Sequence, residues 1–293
     1  MARAKEASMK RKRAVGNFFA YLALIIITVI WLFPFVGLLL GSFRSYDAAV
    51  EYGGIVDYVI PKHFSLDSYR FVLGGETNYL KWYANTVIIA FFVSLLQMII
   101  ILCVSYALSR MRFAGRTLLM RFWFVLGMFP GFLTMICLYF LLKEMGLTQA
   151  GAIPGLILVS VASSGMGYYV CKGYFDTIPK ALDEAARIDG ASRARVFFEM
   201  TLPIGKPIII YTALVAFMAP WNDYIFASYI AFGHDASYNV AVSMYRWMNT
   251  GDYQGYFTRF CAGGVLVAIP VTLLFMFLQK YYVEGVTGGA VKG

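Results

Sequence analysis

Six long apolar segments constrain the fold of this chain more than any other feature. A helix needs about 20 apolar residues to cross a hydrocarbon core of about 30 Å. With 60% hydrophobic and only 14% charged residues, the chain is too apolar for a water-soluble domain. The sequence therefore predicts an all-α membrane protein with six transmembrane helices, because helices satisfy their own backbone amides in lipid. The predicted spans are residues 18–41, 84–109, 119–141, 152–175, 207–232 and 261–282.

The first span follows a basic cluster, Lys10 to Arg13, and so superficially resembles a signal peptide. Its apolar run is longer than the roughly 7–15-residue core of a signal peptide, and no small-x-small cleavage site follows it. We therefore expect residues 18–41 to be retained as a helix, preceded by a basic N-terminal stretch at residues 1–17.

The distribution of positive charge predicts how the chain is oriented. The net charge is +9, and if the N-terminus is cytoplasmic, 18 of the 25 Lys and Arg residues fall on the cytoplasmic side. This asymmetry follows the positive-inside rule, which explains the charge better than nucleic-acid binding does. Both termini, a loop at 176–206 and a tail at 283–293 are then cytoplasmic, whereas loops at 42–83 and 233–260 are external.

Cysteine and histidine usage gives no sign of a disulfide, a metal or a cofactor. All four cysteines fall in apolar segments or at their ends, where they read as small buried hydrophobes. The two histidines, His63 and His234, have no cysteine nearby and no ligand-like spacing. We expect no metal site and no cofactor.

The cytoplasmic loop at 176–206 has the pattern of a helical hairpin. Apolar side chains recur at helical spacing, at Ile178, Leu182, Ala185 and Ile188. Pro179 suits the first turn of a helix and Gly190 suits its end. A second helix is expected over residues 191–200, with Pro203 and Pro207 stopping or bending it. An amphipathic loop of this kind can also lie passively in the lipid headgroup layer.

The residues within this loop carry a resemblance to a known family. They are Glu184, Ala185, Ala186, Gly190, Leu202 and Pro203, spaced as E-A-A, three residues, G, nine residues, a hydrophobe, one residue and L-P. This pattern resembles the signature loop of the membrane subunits of ABC importers. The stretches MFPG, KGYFDTIP and VEGVTGGAVKG also resemble the maltose-type carbohydrate permeases, in particular the smaller of their two permease subunits.

The resemblance implies a type I ABC importer permease fold in which the loop is a coupling helix that docks into a cytoplasmic ATPase. It also implies four kinds of partner: a second homologous permease, two ABC ATPase subunits, an extracytoplasmic sugar-binding protein and an oligosaccharide, with malto-oligosaccharides favoured. The location is then a bacterial cytoplasmic membrane. In this family the glycine-rich tail reaches between the ATPase subunits, although a disordered terminus would have a similar composition.

A few polar residues within the apolar spans are candidates for a substrate pathway. Asp223 is the only acidic residue that lies well inside one of the predicted apolar segments, and it directly follows Trp221 and Asn222. A carboxylate at a helix centre costs about 3 kcal/mol by insertion scales, so it should face protein or a water-filled cavity. Carboxylate, amide and aromatic groups suit sugar recognition. For Asn222 and Asp223, bonding to neighbouring helices or to the partner permease is an equally open interpretation, and for Gln97 helix packing is the favoured one.

Two other classes of function remain as alternatives. A secondary transporter or channel working without ATP would place ionisable residues in several spans, whereas Asp223 stands nearly alone. A membrane enzyme or receptor lacks support because no catalytic set can be assembled within the spans. The chain has no phosphate-loop motif, so we expect a transport subunit that takes its energy from a partner ATPase.

Overall fold

The computed structural model describes residues 2–45, 60–129, 131–249 and 253–290. Within these ranges the regular structure is helical, apart from one isolated bridge between Arg44 and Phe64. The helices are α1 (Ala2–Gly41), α2 (Asp67–Leu73), α3 (Tyr79–Arg110), α4 (Arg116–Gly127), α5 (Gly131–Glu144), α6 (Ala152–Ala162), α7 (Gly165–Thr177), α8 (Lys180–Ile188), α9 (Arg193–Arg195), α10 (Leu202–Ile204), α11 (Lys206–Asn222), α12 (Ile225–Ile230), α13 (Val240–Met248) and α14 (Tyr253–Ala290). A π-helical segment, Val196–Thr201, joins α9 to α10.

The described residues contain three helices that are long and apolar enough to cross a membrane and three bent helix pairs that qualify together. The single helices are Val15–Gly41, Tyr79–Arg110 and Tyr256–Gln279. The pairs are Arg116–Gly127 with Gly131–Glu144, Gln149–Ala162 with Gly165–Thr177, and Arg193–Ile204 with Lys206–Asn222. If each pair is one span, the total is six. The predicted all-α class is confirmed, and the number of spans agrees.

The three bent pairs differ in where and how sharply they bend. α4 and α5 meet at 99° on either side of Pro130, which lies outside the described residues. α6 and α7 meet at 41°, where Ser163 and Ser164 interrupt the helix. The segment Arg193–Ile204 meets α11 at 81°, and Gly205 forms the corner.

The fifth span differs from its predicted bounds of 207–232. α11 ends at Asn222, the helix is interrupted at Asp223 and Tyr224, and a short helix, α12, follows. Asp223 therefore lies at a break between two helices and not at the centre of a continuous one. Asn222 and Asp223, the two adjacent polar residues within this apolar segment, both lie at the break.

Two predicted loops are partly helical. The segment 42–83 contains α2 and the start of α3, and its residues 46–59 lie outside the described residues. The segment 233–260 contains α13 and the start of α14, and residues 250–252 lie outside the described residues.

The C-terminal tail continues a helix over most of its length. α14 extends to Ala290, so residues 283–290 are helical. Residues 291–293 lie outside the described part of the chain. The glycine-rich composition therefore does not prevent a helix here, although isolated glycines weaken one.

The chain divides into two compact units, of which the first comprises Met1–Gly74 and Thr250–Val265. Near the end of α1, the hydroxyl of Tyr69 donates to Ser42 Oγ at 2.8 Å, and the ring of Phe43 packs 5.6 Å from that of Tyr69. The guanidinium of Arg259 lies 3.9 Å above the ring of Phe71. Most apolar side chains of α1 are exposed on this chain, as expected for a helix that faces lipid or a partner subunit.

The second unit comprises Gly75–Asn249 and Leu266–Gly293, and α3 is its central helix. α11, α7 and α6 pack against α3. Gly167 on α7 lets Ile101 approach so closely that a Cβ atom at this position would overlap the isoleucine side chain. Ser105 on α3 donates to the carbonyl of Tyr168 at 3.1 Å. Gly167 therefore serves the close packing of α7 against α3.

Candidate functional site

The helical hairpin at 176–206 has the turn that its sequence predicts. α8 follows Pro179 and ends before Gly190, whose φ of +85° is the left-handed conformation that favours glycine. The amide of Gly190 donates to Arg187 O at 3.1 Å, and that of Ala191 donates to Ala186 O at 2.9 Å. This pair of bonds is a Schellman motif, which satisfies carbonyls at the helix end. The chain can thus reverse direction immediately after α8.

A side-chain cap starts the second arm of the hairpin. Ser192 Oγ accepts a hydrogen bond from the amide of Arg195 at 3.2 Å. The helix then continues through the π segment and α10 to the corner at Gly205. The helix ends at Ile204, one residue after Pro203, and the 81° bend at Gly205 lies between Pro203 and Pro207, as the sequence predicts.

The two arms of the hairpin present different surfaces. On α8, Glu184 and Ala185 are exposed and Ala186 is half-buried. The expected apolar side of α8 is uncovered in this chain, since Leu182 is 40% exposed and Ile188 is 85% exposed. An uncovered face that combines apolar and acidic side chains is suited to contact with another protein.

The base of the hairpin is packed into the protein. Ile178, Phe175, Phe197 and Tyr106 belong to one buried hydrophobic cluster, and the rings of Tyr106 and Phe197 lie 4.7 Å apart. Leu202 is half-buried and packs against this cluster, whereas Pro203 is exposed. Of the motif residues, Leu202 thus contributes to packing, and Glu184 and Ala185 lie on the outer surface.

Arg110, the last residue of α3, connects the hairpin to the ends of α3 and α7. Its Nη2 donates to Phe175 O at 3.0 Å and to Ile178 O at 2.9 Å. Its Nε lies 3.1 Å from Asp183 Oδ2 on α8, and the two side chains are 5% and 17% exposed. From the sequence alone, Arg110 is only one of the 18 positive charges expected on the cytoplasmic side. The residue instead joins the ends of α3 and α7 to α8.

Next to this ion pair lies a cavity of about 430 Å³, which we call the basic cavity. Its lining contains six cationic and two acidic side chains. They are Arg110, Arg112, Arg116, Lys180, Arg187, Arg193, Asp183 and Glu184. Tyr106, Ser109, Met111 and Val196 complete the wall.

The candidate pathway residues gather around the break after α11. Asp223 Oδ1 accepts from the amides of Phe226 at 3.2 Å and Ala227 at 3.4 Å, so it caps α12. The side-chain amide of Asn239 donates to Pro220 O at 3.2 Å and to Asp223 O at 2.7 Å. These bonds satisfy carbonyls that the break releases.

Trp221, Asn222 and Gln97 have different surroundings. Trp221 is buried, with its ring 5.4 Å from that of Tyr83, and within the described residues its Nε1 has no acceptor. Asn222 is exposed and its amide lies 3.4 Å from Met218 O. Gln97 donates to Ser160 O at 3.2 Å, a bond between α3 and α6.

A small cavity of about 150 Å³ lies beside the break, and Asp223, Asn239 and Ser160 are among its polar wall residues. Gln97 is one hydrogen bond away, through Ser160. An aromatic pair that the sequence analysis missed also lies at the break. The rings of Tyr224 and Tyr245 are 3.9 Å apart, and Tyr245 is 47% exposed.

In the described part of the chain, no group of three or more His, Cys, Asp and Glu side chains could hold a metal ion.

Comparison with known proteins reveals relatives that match nearly the whole chain. The galactooligosaccharides transport system permease protein GanQ of Bacillus subtilis (strain 168) is 34% identical, covering 98% of this chain and 99% of GanQ. The maltodextrin transport system permease protein MdxG of the same strain is 33% identical, covering 96% of this chain and 98% of MdxG. The resemblance to maltose-type permeases is therefore confirmed.

The fold also matches a solved structure. A chain in the crystal structure of a bacterial ABC transporter involved in the import of the acidic polysaccharide alginate superposes with a TM-score of 0.78. That match covers 93% of this chain and 98% of the other at 22% identity. The predicted importer-type permease fold is confirmed.

Residues 100–288 match the family described as binding-protein-dependent transport system inner membrane component. The matched region contains the hairpin, the residues that line the basic cavity and the break after α11. Together with the full-length relatives, this match shows that the chain belongs to the family of binding-protein-dependent transport system inner membrane components, the permease subunits of ABC importers.

Proposed function

We propose that this chain is the permease subunit of an ATP-driven importer of neutral oligosaccharides, with malto-oligosaccharides as the first candidates and galacto-oligosaccharides as the second. The observation that carries the proposal is the identity of 33–34% with a maltodextrin and a galactooligosaccharide permease over nearly the full chain. Both relatives are named for neutral oligosaccharides. The alginate transporter, named for an acidic polysaccharide, supports the fold alone.

The proposed assembly contains a second homologous permease, two cytoplasmic ABC ATPases and an external sugar-binding protein. The family description supports the binding protein, since the transport systems concerned depend on one. The uncovered apolar faces of α1 and α8 support further subunits, because such faces need a partner or lipid. The termini, the α3–α4 connection and the hairpin with its flanks together hold 18 of the 25 Lys and Arg residues, which supports a cytoplasmic location for both termini and the hairpin.

In this assembly α8 is the coupling helix. Leu182, Ala185 and Ile188 offer an apolar surface to a groove on the ATPase, and the exposed Glu184 offers a charge. The ion pair between Arg110 and Asp183 ties α8 to α3 and α7, so displacement of α8 by the ATPase would be passed to the spans. The chain then alternates between two states that ATP binding elsewhere in the complex biases.

The break after α11 is the proposed polar part of the substrate pathway. α11 has 17 residues and a length of about 25 Å, which is shorter than a hydrocarbon core of about 30 Å. Interrupted backbone at membrane depth is tolerated only where protein buries it or where it lines a water-filled cavity. Asn222, Asp223 and the Tyr224–Tyr245 pair supply amide, carboxylate and aromatic groups, which suit a sugar.

An uptake assay tests the proposed substrate class. Proteoliposomes containing the complete transporter and its binding protein would receive ATP inside and labelled maltotriose, galactotriose, an alginate trisaccharide or glucose outside. We expect ATP-dependent uptake of a neutral trisaccharide. Uptake of alginate alone, or uptake that persists without ATP, would contradict the proposal. A neutral trisaccharide other than maltotriose would correct the first candidate.

A further inference from the structure

The basic cavity has an imbalance of charge that the coupling role does not explain. Six cationic side chains line it together with two carboxylates. Within the described residues, the one ion pair between lining residues is that of Arg110 with Asp183. The remaining cations repel one another across a concave surface, where the local field attracts anions.

Arg110 provides a second and independent observation. Its side chain is 5% exposed and lines the cavity. Nη2 donates to two carbonyls, and Nε lies 3.1 Å from Asp183 Oδ2 as an ion pair without a hydrogen bond. Nη1 is buried and has no hydrogen-bond acceptor in the described part of the chain. A buried donor without an acceptor, especially one on a charged group, is costly. An anion in the cavity would supply the missing acceptor.

The lining indicates which anion fits. A guanidinium presents a planar fork of donors that matches the oxygens of a phosphate group. Arg187 and Arg193 lie on the hairpin side of the cavity. Arg112 follows α3 and Arg116 begins α4, at the end of a membrane span. Phosphate groups occur at this depth as phospholipid headgroups and, in the aqueous phase, as free phosphate.

We propose that the basic cavity is a binding site for a phosphate group, held by Arg110 together with arginines from the hairpin and from the α3–α4 connection. A bound phosphate would bridge α8 to α3, because Arg187 and Arg193 on the hairpin side would share it with Arg110. The site would therefore stiffen the coupling helix relative to the spans. This role is separate from which sugar is carried.

The test compares two arginines of the hairpin that differ in position. Arg193 lines the cavity, whereas Arg195 is exposed, does not line it and pairs with Glu199 at 2.8 Å. Arg193→Gln removes a cavity charge and leaves buried Arg110 in place. Arg195→Gln removes a charge two residues away and serves as the control. The double variant Arg187→Gln/Arg193→Gln removes two cavity charges, and it is used if the loss of one charge changes binding too little to measure.

Binding would be measured as a shift in the thermal unfolding midpoint of the purified complex. In one arm, the complex in micelles of an uncharged detergent that contains no phosphate receives inorganic phosphate at constant ionic strength. In the other, the same micelles are compared with micelles that also contain phosphatidylglycerol. Since partner ATPases can themselves bind phosphate, the difference between variants is the readout.

We expect the wild-type complex and Arg195→Gln to be stabilised in at least one arm. Arg193→Gln should need about tenfold more of the same probe, because one charge-assisted hydrogen bond is lost. A response to inorganic phosphate identifies free phosphate as the source, and a response to phosphatidylglycerol alone identifies a lipid headgroup. No stabilisation in either arm, or equal responses from the double variant and Arg195→Gln, would overturn the proposal.

Discussion

Arg110 Nε, at the end of a membrane-spanning helix, lies 3.1 Å from Asp183 Oδ2 on the surface hairpin, and the two residues are 73 positions apart in the chain. Both side chains are largely buried. Because Arg110 also holds the carbonyls of Phe175 and Ile178, one guanidinium links α8 to the ends of α3 and α7. The proposed coupling role of α8 requires such a link, through which its displacement can reach the spans.

The first prediction concerns this ion pair. Asp183→Asn should destabilise the hairpin by about 3 kcal/mol, because it leaves a buried guanidinium without its counter-charge. We expect lower thermal stability and a lower ratio of sugar transported to ATP hydrolysed. The control is Glu199→Gln, which breaks the exposed pair with Arg195 and should change stability little. Similar unfolding midpoints for the two variants would contradict a structural role for the Arg110–Asp183 pair.

A second prediction concerns the turn after α8. Gly190 has φ of +85° and open space around its Cα, so a substitution there acts through backbone strain and not through a clash. Gly190→Val should cost roughly 1–2 kcal/mol and uncouple ATP hydrolysis from uptake by altering the direction of the hairpin. Gly190→Asn should retain most coupling, since asparagine tolerates this conformation. Uptake and ATPase activity of both variants test this, and equal coupling by valine and asparagine would count against it.

The third prediction separates folding from docking at Glu184. Its side chain is exposed and also lines the basic cavity, so Glu184→Lys should lower the thermal stability of the chain only slightly, through one added cation in that lining. If the carboxylate contacts the ATPase, reversal of its charge should reduce sugar uptake far more than it reduces protein level. Glu144→Lys, an equally exposed glutamate at the end of α5, provides the comparison. Normal coupled transport by the Glu184 variant would remove this residue from the interface.

A fourth prediction distinguishes two roles of Asp223. Asn can keep the oxygen that caps α12, whereas Ala cannot, so Asp223→Ala should cost about 1 kcal/mol of stability and Asp223→Asn much less. If the carboxylate also lines the pathway, Asp223→Asn should lower the rate of sugar uptake without lowering stability. Uptake and unfolding are measured on the same preparations. Normal uptake by the Asn variant would leave Asp223 as a helix cap alone.

The sequence predicts those features that depend on local chemistry. Apolar runs of sufficient length predict the six spans, and Gly190 predicts the turn after α8, since a left-handed residue favours glycine wherever it occurs. Pro203 and Pro207 likewise predict the end of the second hairpin helix and its bend into α11, because proline cannot continue a regular helix.

The features that the sequence does not predict depend on residues far apart in the chain. The sequence predicts a continuous helix over 207–232, because the residue that stabilises the break, Asn239, lies 16 positions beyond Asp223. The sequence identifies Arg110 only as a positive charge, because its ion-pair partner Asp183 lies on another helix. The exposure of Ile188 likewise follows from how α8 is held, and no local pattern reveals it.

The contact between α8 and an ATPase is the central claim, and site-specific photocrosslinking tests it most directly. A photoreactive amino acid in place of Ile188, which is 85% exposed on α8, would be compared with one in place of Ile225, which is 65% exposed on α12. After irradiation of cells that express the complete transporter, we expect a covalent product between position 188 and the ATPase and none from position 225. Crosslinks from position 188 to lipid alone, in a complex that still contains the ATPase, would show that α8 is not the docking helix.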